Sequence, residues 1–354
     1  MPKDEYISQA FAKHAQKLLE EGFHDELIEA AQDAIELNPK DATVYLYRGN
    51  AHSGKGDLDA AFADYTEAIR LDPKFAEAYN YRADCHDRKG DIDSAIADFT
   101  KALEIAPEDA NTYNYRGYRY YRKGELDKAF ADFTRAIEIY PYHDIAITNL
   151  GLVHAAKGDL DNAIVHYSLA IKLNPENPEP YINRGFVYNE KEHYDHALSD
   201  FAEAMKLDPE NDYAHFSCGF AYGKKGDHEK AIAAYTEAIE LNPNNVHAYL
   251  NRGYEYTPQG DPDAAIADCT KAIELDPNLA DAYHNRSLAY AAKGNHDAAI
   301  ADCTKAIELD PSVADFYHDR ALAYEAKGDH DRAAADRKKA ARLDPKYAES
   351  AHES

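Results

Sequence analysis

The sequence predicts an all-α solenoid of ten 34-residue helix-turn-helix repeats, and three observations carry that prediction. Prolines recur without a slip in phase at Pro39, Pro73, Pro107, Pro141, Pro175, Pro209, Pro243, Pro277, Pro311 and Pro345. A fixed period of this length marks an architecture in which each unit packs only on its neighbours. A turn signal, typically Lys-Gly-Asp, divides most periods in two, as at Lys55-Gly56-Asp57 and Lys225-Gly226-Asp227. Small residues recur where two helices would have to approach each other, with bulky ones between them.

With the proline set as position 32, the units run 8–41, 42–75, 76–109, 110–143, 144–177, 178–211, 212–245, 246–279, 280–313 and 314–347. A lead (1–7) and a tail (348–354) flank them. The first helix of each unit starts near position 2. It typically ends with a lysine at 14 and a glycine at 15, a cation in the last turn followed by a C′ glycine. The second helix is N-capped by aspartate at position 16 (Asp57, Asp91, Asp159, Asp227, Asp261, Asp329). It stops before the proline, which disfavours helix in the residue preceding it. Position 8 is Gly, Ala or Ser throughout, and position 27 is always Ala. Positions 4, 11 and 24 are mostly aromatic, which absorbs many of the 28 tyrosines of a chain with no tryptophan.

Position 7 is Arg in seven units (Arg48, Arg82, Arg116, Arg184, Arg252, Arg286, Arg320). Position 23 is Asp in the same seven (Asp64, Asp98, Asp132, Asp200, Asp268, Asp302, Asp336). Such a match arises by chance about once in a hundred, and co-varying positions imply contact. In a hairpin that turns at positions 15 and 16, position 7 faces 23 or 24, so an Arg–Asp bridge inside each of these repeats is expected.

These patterns resemble the tetratricopeptide repeat (TPR) family. The resemblance is carried by Tyr249-x-x-Arg252-Gly253-x-x-Tyr256, then Ala265-x-x-x-Cys269-x-x-Ala272, then Pro277, with equivalents in every unit. It implies a right-handed superhelix whose first helices line a concave groove, with positions 2, 5, 6, 9, 12 and 13 directed inward. The implied function is non-catalytic: a protein-binding scaffold that holds an extended peptide or partner segment. The alternative is a structural solenoid that self-associates into a dimer or filament.

Three groove features follow from those positions. Asn149, Asn183, Asn251 and Asn285 stand at position 6, where similar ladders in the family hydrogen-bond a peptide backbone. Phe186, Phe216, Phe220 and Tyr254, with Ile182 and Leu250, could form pockets for apolar anchors. Repeats 3 and 4 place Arg88 and Arg122 with Tyr81, Tyr115, Tyr118 and Tyr121 near Asn80 and Asn114, a basic-aromatic patch suited to an acidic or carboxylate-ended peptide. The alternative reading is a solvated face that balances Asp84 and Asp87. Residues 263–277 and 297–311 are identical, while the first helices beside them differ, as expected of a constant scaffold with a variable recognition surface. Position 5 is never Lys, so the carboxylate clamp for chaperone C-terminal tails is not expected.

Composition narrows the partners. A formal net charge of −26 argues against nucleic acid and anionic membrane surfaces. No apolar run reaches membrane-spanning length, and the N-terminal MPKDEYISQAFAKHAQ has no apolar core, so no secretory signal is expected. Four cysteines are too few for a disulfide framework and fit a reducing, cytoplasmic setting. No phosphate-binding or catalytic motif occurs, and no cofactor is expected. His193-x-x-His196 beside Glu192 is the most metal-like spacing, but it lacks a third ligand, so no metal is expected.

Repeat 1, with Ala31 at position 24, reads as an N-terminal cap. Repeat 10, with Ala334, Arg337 and Ala341 on its outer face, reads as the C-terminal cap. Repeats 6 and 8 are irregular. Glu192-His193 replaces Gly-Asp in the first, and Pro258 should end the first helix of the second early. Neither is read as a domain boundary.

Overall fold

Helices alternate with tight turns through the whole described chain. The structure, a computed structural model, describes residues 3–348, with side chains from residue 8 onward. The side chains of the lead 1–7 and the tail beyond Ala348 lie outside the described residues. The chain divides into two units, Met1–Pro175 and Glu176–Ser354. The second unit opens on the Pro178-Glu179-Pro180 start of repeat 6, whose first helix has no side-chain N-cap.

Unit one holds α1 (Lys3–Glu20), α2 (His24–Leu37), α3 (Ala42–Gly54), α4 (Leu58–Leu71), α5 (Ala76–Arg88), α6 (Ile92–Ile105), α7 (Ala110–Arg122), α8 (Leu126–Ile139), α9 (Asp144–Ala156) and α10 (Leu160–Leu173). Unit two holds α11 (Glu179–Glu190), α12 (Tyr194–Leu207), α13 (Asp212–Lys224), α14 (His228–Leu241), α15 (Val246–Tyr256), α16 (Pro262–Leu275), α17 (Ala280–Ala292), α18 (His296–Leu309), α19 (Ala314–Ala326) and α20 (His330–Leu343). Among the described residues there is no strand. Within each unit every odd-numbered helix packs on the even-numbered one that follows, and that helix packs on the next. α15 stops at Tyr256, two residues before Pro258, so the proline shortens the helix rather than kinking it.

The caps follow the sequence. Asp57 and Asp91 accept from the N–H groups of Ala60 and Ser94 at 3.0 and 3.1 Å. Asp41, Asn211 and Asn245 cap first helices in the same way, a signal at position 34 that the sequence reading passed over. Nine turn glycines hold φ between +71° and +84°. Glu192 takes that place in repeat 6 at φ +60°, where a Cβ is strained.

Position 8 meets position 24 face to face. A Cβ on Gly49 would lie 2.6 Å from the Tyr65 ring, and one on Gly185 the same distance from Phe201. In repeat 9, where position 24 is Cys303, a serine takes the place of the glycine: Ser287 sits against Cys303, 3.1 Å from Oγ to Sγ. In repeat 10 Arg337 replaces the ring and turns its guanidinium to Glu325 at 3.3 Å. All four cysteines are buried free thiols, and burial pushes Cys218 up to about 11 and Cys269 and Cys303 to about 12.

All seven Arg–Asp bridges form, each bidentate and inside one repeat. Arg116 donates from Nε and Nη2 to Asp132 at 2.8 and 2.7 Å, and Arg82 does the same to Asp98 at 2.7 and 2.8 Å. The hydrogen bond to Asp98 raises the Arg82 guanidinium further above its ordinary value. The bridge also reaches backward, which the sequence reading did not foresee. Arg116, Arg252 and Arg286 donate from Nη1 to Thr100, Thr236 and Thr270 of the preceding repeat at 3.1, 2.9 and 3.0 Å. A second ladder ties turns together: Lys89 to Asp59 and Lys157 to Asp127, each at 2.6 Å. Its groups are exposed, so each pair contributes little alone.

Asp132→Ala leaves the half-buried Arg116 guanidinium without its carboxylate. It should lower unfolding stability in urea by about 3 kcal/mol, while Arg116→Leu/Asp132→Ala should cost less than the sum of the two single changes. Glu192→Gly should raise stability by about 1 kcal/mol by relieving the left-handed backbone, read from the same unfolding curves.

Candidate functional site

Within each unit first helices meet their neighbours, as α7 meets α9 and α13 meets α15, and the faces they build carry the groove positions. In unit one an open cavity of about 630 Å³ lies over α3, α5 and α7. Tyr81 and Tyr115 stand at its rim, 43% and 44% exposed. Tyr81 stacks on the buried Tyr65 with ring centroids 5.6 Å apart, and Tyr115 tilts over Phe99 at 6.0 Å. Tyr65 donates to Asn50 Oδ1 at 2.9 Å, and burial pushes its hydroxyl far above the usual tyrosine value. Asn80 donates from Nδ2 to Thr112 Oγ1 at 2.7 Å, while its Oδ1 is buried without a partner.

The cations of this patch are engaged. Arg122 reaches Asp87 from Nη1 at 2.5 Å, and Arg119 reaches the same carboxylate from Nη2 at 2.9 Å. Arg88 donates to Ser53 Oγ at 3.0 Å. Glu77, Asp84 and Asp109 also line the cavity, so its surroundings are not basic. The arrangement is that of a charge-balanced face. Arg119 was missed from the sequence. It lies at position 10, with its guanidinium 5.4 Å over Phe99 and its buried Nε unpartnered. Tyr118 and Tyr121 stack on each other at 6.3 Å beside it.

The asparagines do not form one ladder. Asn149 donates from Nδ2 to Asn114 Oδ1 at 2.9 Å, and both are buried, at 5% and 4% exposure. That pair closes the gap between α7 and α9 instead of facing a ligand. Asn183 and Asn285 are half-buried, and Asn183 Nδ2 has no partner. Asn251 hydrogen-bonds Tyr235, a hydroxyl that burial pushes up.

In unit two Ile182 and Leu250 are buried in core clusters, and Ile182 also borders a shallow cavity with Asn183 and Tyr213. Phe186, Phe216 and Phe220 line a second open cavity, of about 570 Å³, between α11, α13 and α15. Phe186 meets the Phe201 ring edge-on at 5.6 Å and Tyr213 at 4.8 Å. Lys224 Nζ stands 5.3 Å over Phe220. Tyr254 is exposed on the neighbouring α15. Asn189, at inward position 12, lines this cavity with 8% exposure, and neither its Nδ2 nor its Oδ1 has a partner. A satisfied amide gives no such signal, and only its inward position could have singled it out from sequence. His193 and His196 lie against Tyr188, and among the described residues no three His, Cys, Asp or Glu side chains converge on a metal position. No helix among the described residues is long and apolar enough to cross a membrane.

Stacked helical hairpins with an accessible first-helix face define a repeat scaffold, a fold typical of protein–protein interaction and generally not catalytic. Tetratricopeptide repeat models match residues 13–74, 48–110, 110–143, 213–245, 246–279, 280–313 and 303–335, and a TPR repeat model matches 151–192 and 187–226. The chain belongs to the tetratricopeptide repeat family. Among solved structures it is similar to YrrB, described as a TPR protein with an unusual peptide-binding site, at 30% identity over 55% of this chain and 97% of that one, TM-score 0.47. It is also similar to the Cut9–Hcn1 hetero-tetramer of the APC/C, at 16% identity over 99% of this chain and 84% of that one, TM-score 0.57. A tetratricopeptide repeat protein from Parabacteroides merdae ATCC 43184 aligns at 24% identity over 68% of this chain and 97% of that one, TM-score 0.53. No curated protein matches the chain.

Asn114→Ala should destabilise the protein by about 1–3 kcal/mol, because it strands the buried amide of Asn149. Asn114→Ala/Asn149→Ala should recover part of that loss in the same thermal unfolding measurement.

Proposed function

We propose that the protein is a non-catalytic cytoplasmic scaffold whose first-helix faces hold an extended segment of a partner protein. The observation that carries this reading is the pair Tyr81 and Tyr115, equivalent residues on consecutive first helices. Both residues are exposed over an open cavity. Large aromatic groups grouped on a surface mark interaction sites more often than idle ones. The unpartnered groups beside them, an acceptor on Asn80 and a donor on Arg119, suit the alternating donors and acceptors of a main chain. Net charge and the carboxylates Glu77, Asp84 and Asp109 disfavour nucleic acid and acidic peptides.

Immobilised wild-type protein should retain a specific partner from an extract of the source organism. Tyr81→Ala/Tyr115→Ala or Phe186→Ala/Phe220→Ala should lose it while keeping the wild-type circular dichroism spectrum. A partner retained equally by both variants would remove the groove from the proposal.

A further inference from the structure

We propose that the cavity between α11, α13 and α15 takes an extended peptide bearing a bulky apolar side chain next to a lysine or arginine, with Asn189 pairing to its backbone. The proposal rests on the peptide-binding reading above and gives it a specific site and ligand chemistry.

Asn189 supplies the first argument. A buried primary amide with both its donor and its acceptor unsatisfied is rare in a native structure. A single anion would satisfy only the donor, and a single cation only the acceptor. A peptide bond offers one N–H and one C=O and can answer both. The other repeats hold no equivalent. Position 12 is Ser53 or Asp87 in two units, where an arginine from the next repeat reaches it, and Ala155, Gly223 or Ala291 in three others. The residue that could play that part for Asn189 is Lys224, and its ammonium stands over Phe220 instead.

The floor of the cavity gives the apolar half. Phe186, Phe216 and Phe220 present partly buried rings to a space large enough for one or two side chains.

Charge comes from the rim. Glu190 and Glu192 both line the cavity, both are exposed, and neither has an ion pair among the described residues. Glu192 holds the left-handed turn that glycine holds in nine other repeats. The backbone is thus strained at the one turn whose side chain borders the pocket, and strain of this kind concentrates at binding sites. Two carboxylates against one ammonium call for a cationic neighbour to the apolar anchor.

The test is selection of random twelve-residue peptides displayed on phage against the full chain, followed by fluorescence anisotropy with the synthetic peptides recovered. Enriched peptides should combine a bulky apolar residue with an adjacent Lys or Arg. Their Kd should rise about tenfold on Asn189→Ala, from loss of paired hydrogen bonds, and rise on Glu192→Gly. Both variants should melt at or above the wild-type temperature, because one removes an unpaired buried amide and the other a strained turn. A merely structural Asn189 or Glu192 would move stability and leave Kd unchanged. Acidic or purely polar motifs, or peptides whose Kd is unaffected by both variants but lost in Tyr81→Ala/Tyr115→Ala, would overturn this inference and leave the broader reading standing. Recovery of no binding peptide would overturn both.

Discussion

The contact of position 8 with position 24 is the constraint on which the rest of each repeat depends. A side chain on Gly49, Gly151 or Gly219 would overlap the ring of Tyr65, Tyr167 or Tyr235, so the two helices can lie this close only where one of them has no Cβ or a small one. Positions 7 and 23 flank that contact by one residue on each helix. Once the rings are seated, the arginine has one carboxylate within reach and little water around it. Its planar group lies between tyrosines at positions 4 and 11, as Arg116 does with Tyr113 and Tyr120 at 5.6 and 5.9 Å. A desolvated bidentate pair is poor evidence of net stability, but it penalises every register in which either group is left alone. Ring contact and ion pair together fix how the hairpin closes.

The same arginines couple one hairpin to the one before it, and the exceptions show how. Repeat 5 has Leu150 where the arginine would be, and Thr134 of repeat 4, deprived of its donor, is left with a buried hydroxyl lacking a partner. Repeat 7 has Cys218 at that position, and the preceding repeat has Ala202 where six repeats have threonine. Repeat 6 has thus adapted to the missing arginine and repeat 4 has not. In a solenoid whose stability is a sum of unit and nearest-neighbour terms, such a junction is a local weakness rather than a global one.

Much of this was legible in the sequence because the chain supplies ten copies of one experiment. The period, helix limits, caps and Arg–Asp pairs each recur, and a contact within a repeat shows itself as two columns that change together. Contacts made by changing residue types do not. Asp87 takes Arg122 where Ser53 takes Arg88, and Asn114 takes Asn149 where His284 meets Asp319, each pair across consecutive repeats, so no two columns show one matched pair of residues. That is why the groove of repeats 3 and 4 read as basic when its charges are already paired. The threonine hook was hidden for a related reason: it links position 25 of one unit to position 7 of the next, and threonine persists at Thr134 where the arginine is gone.

A repeat protein separates its tasks by position, and the two kinds of departure from the pattern have different physical characters. Leu150 and Cys218 replace the arginine by an apolar group that packs, and only at Cys218 has the preceding repeat lost its threonine as well. Asn189 and Glu192 do the opposite. One places a buried amide with neither end partnered at a position where no other repeat carries an asparagine, and the other places a Cβ where the backbone calls for glycine. Both lower the stability of the isolated chain without a compensating contact inside it, they lie three residues apart, and they border the same cavity. Unpartnered buried groups also occur at Asn80 and Thr134, but at Asn189 both ends of one amide are left open, beside the one turn that carries a Cβ in the left-handed region.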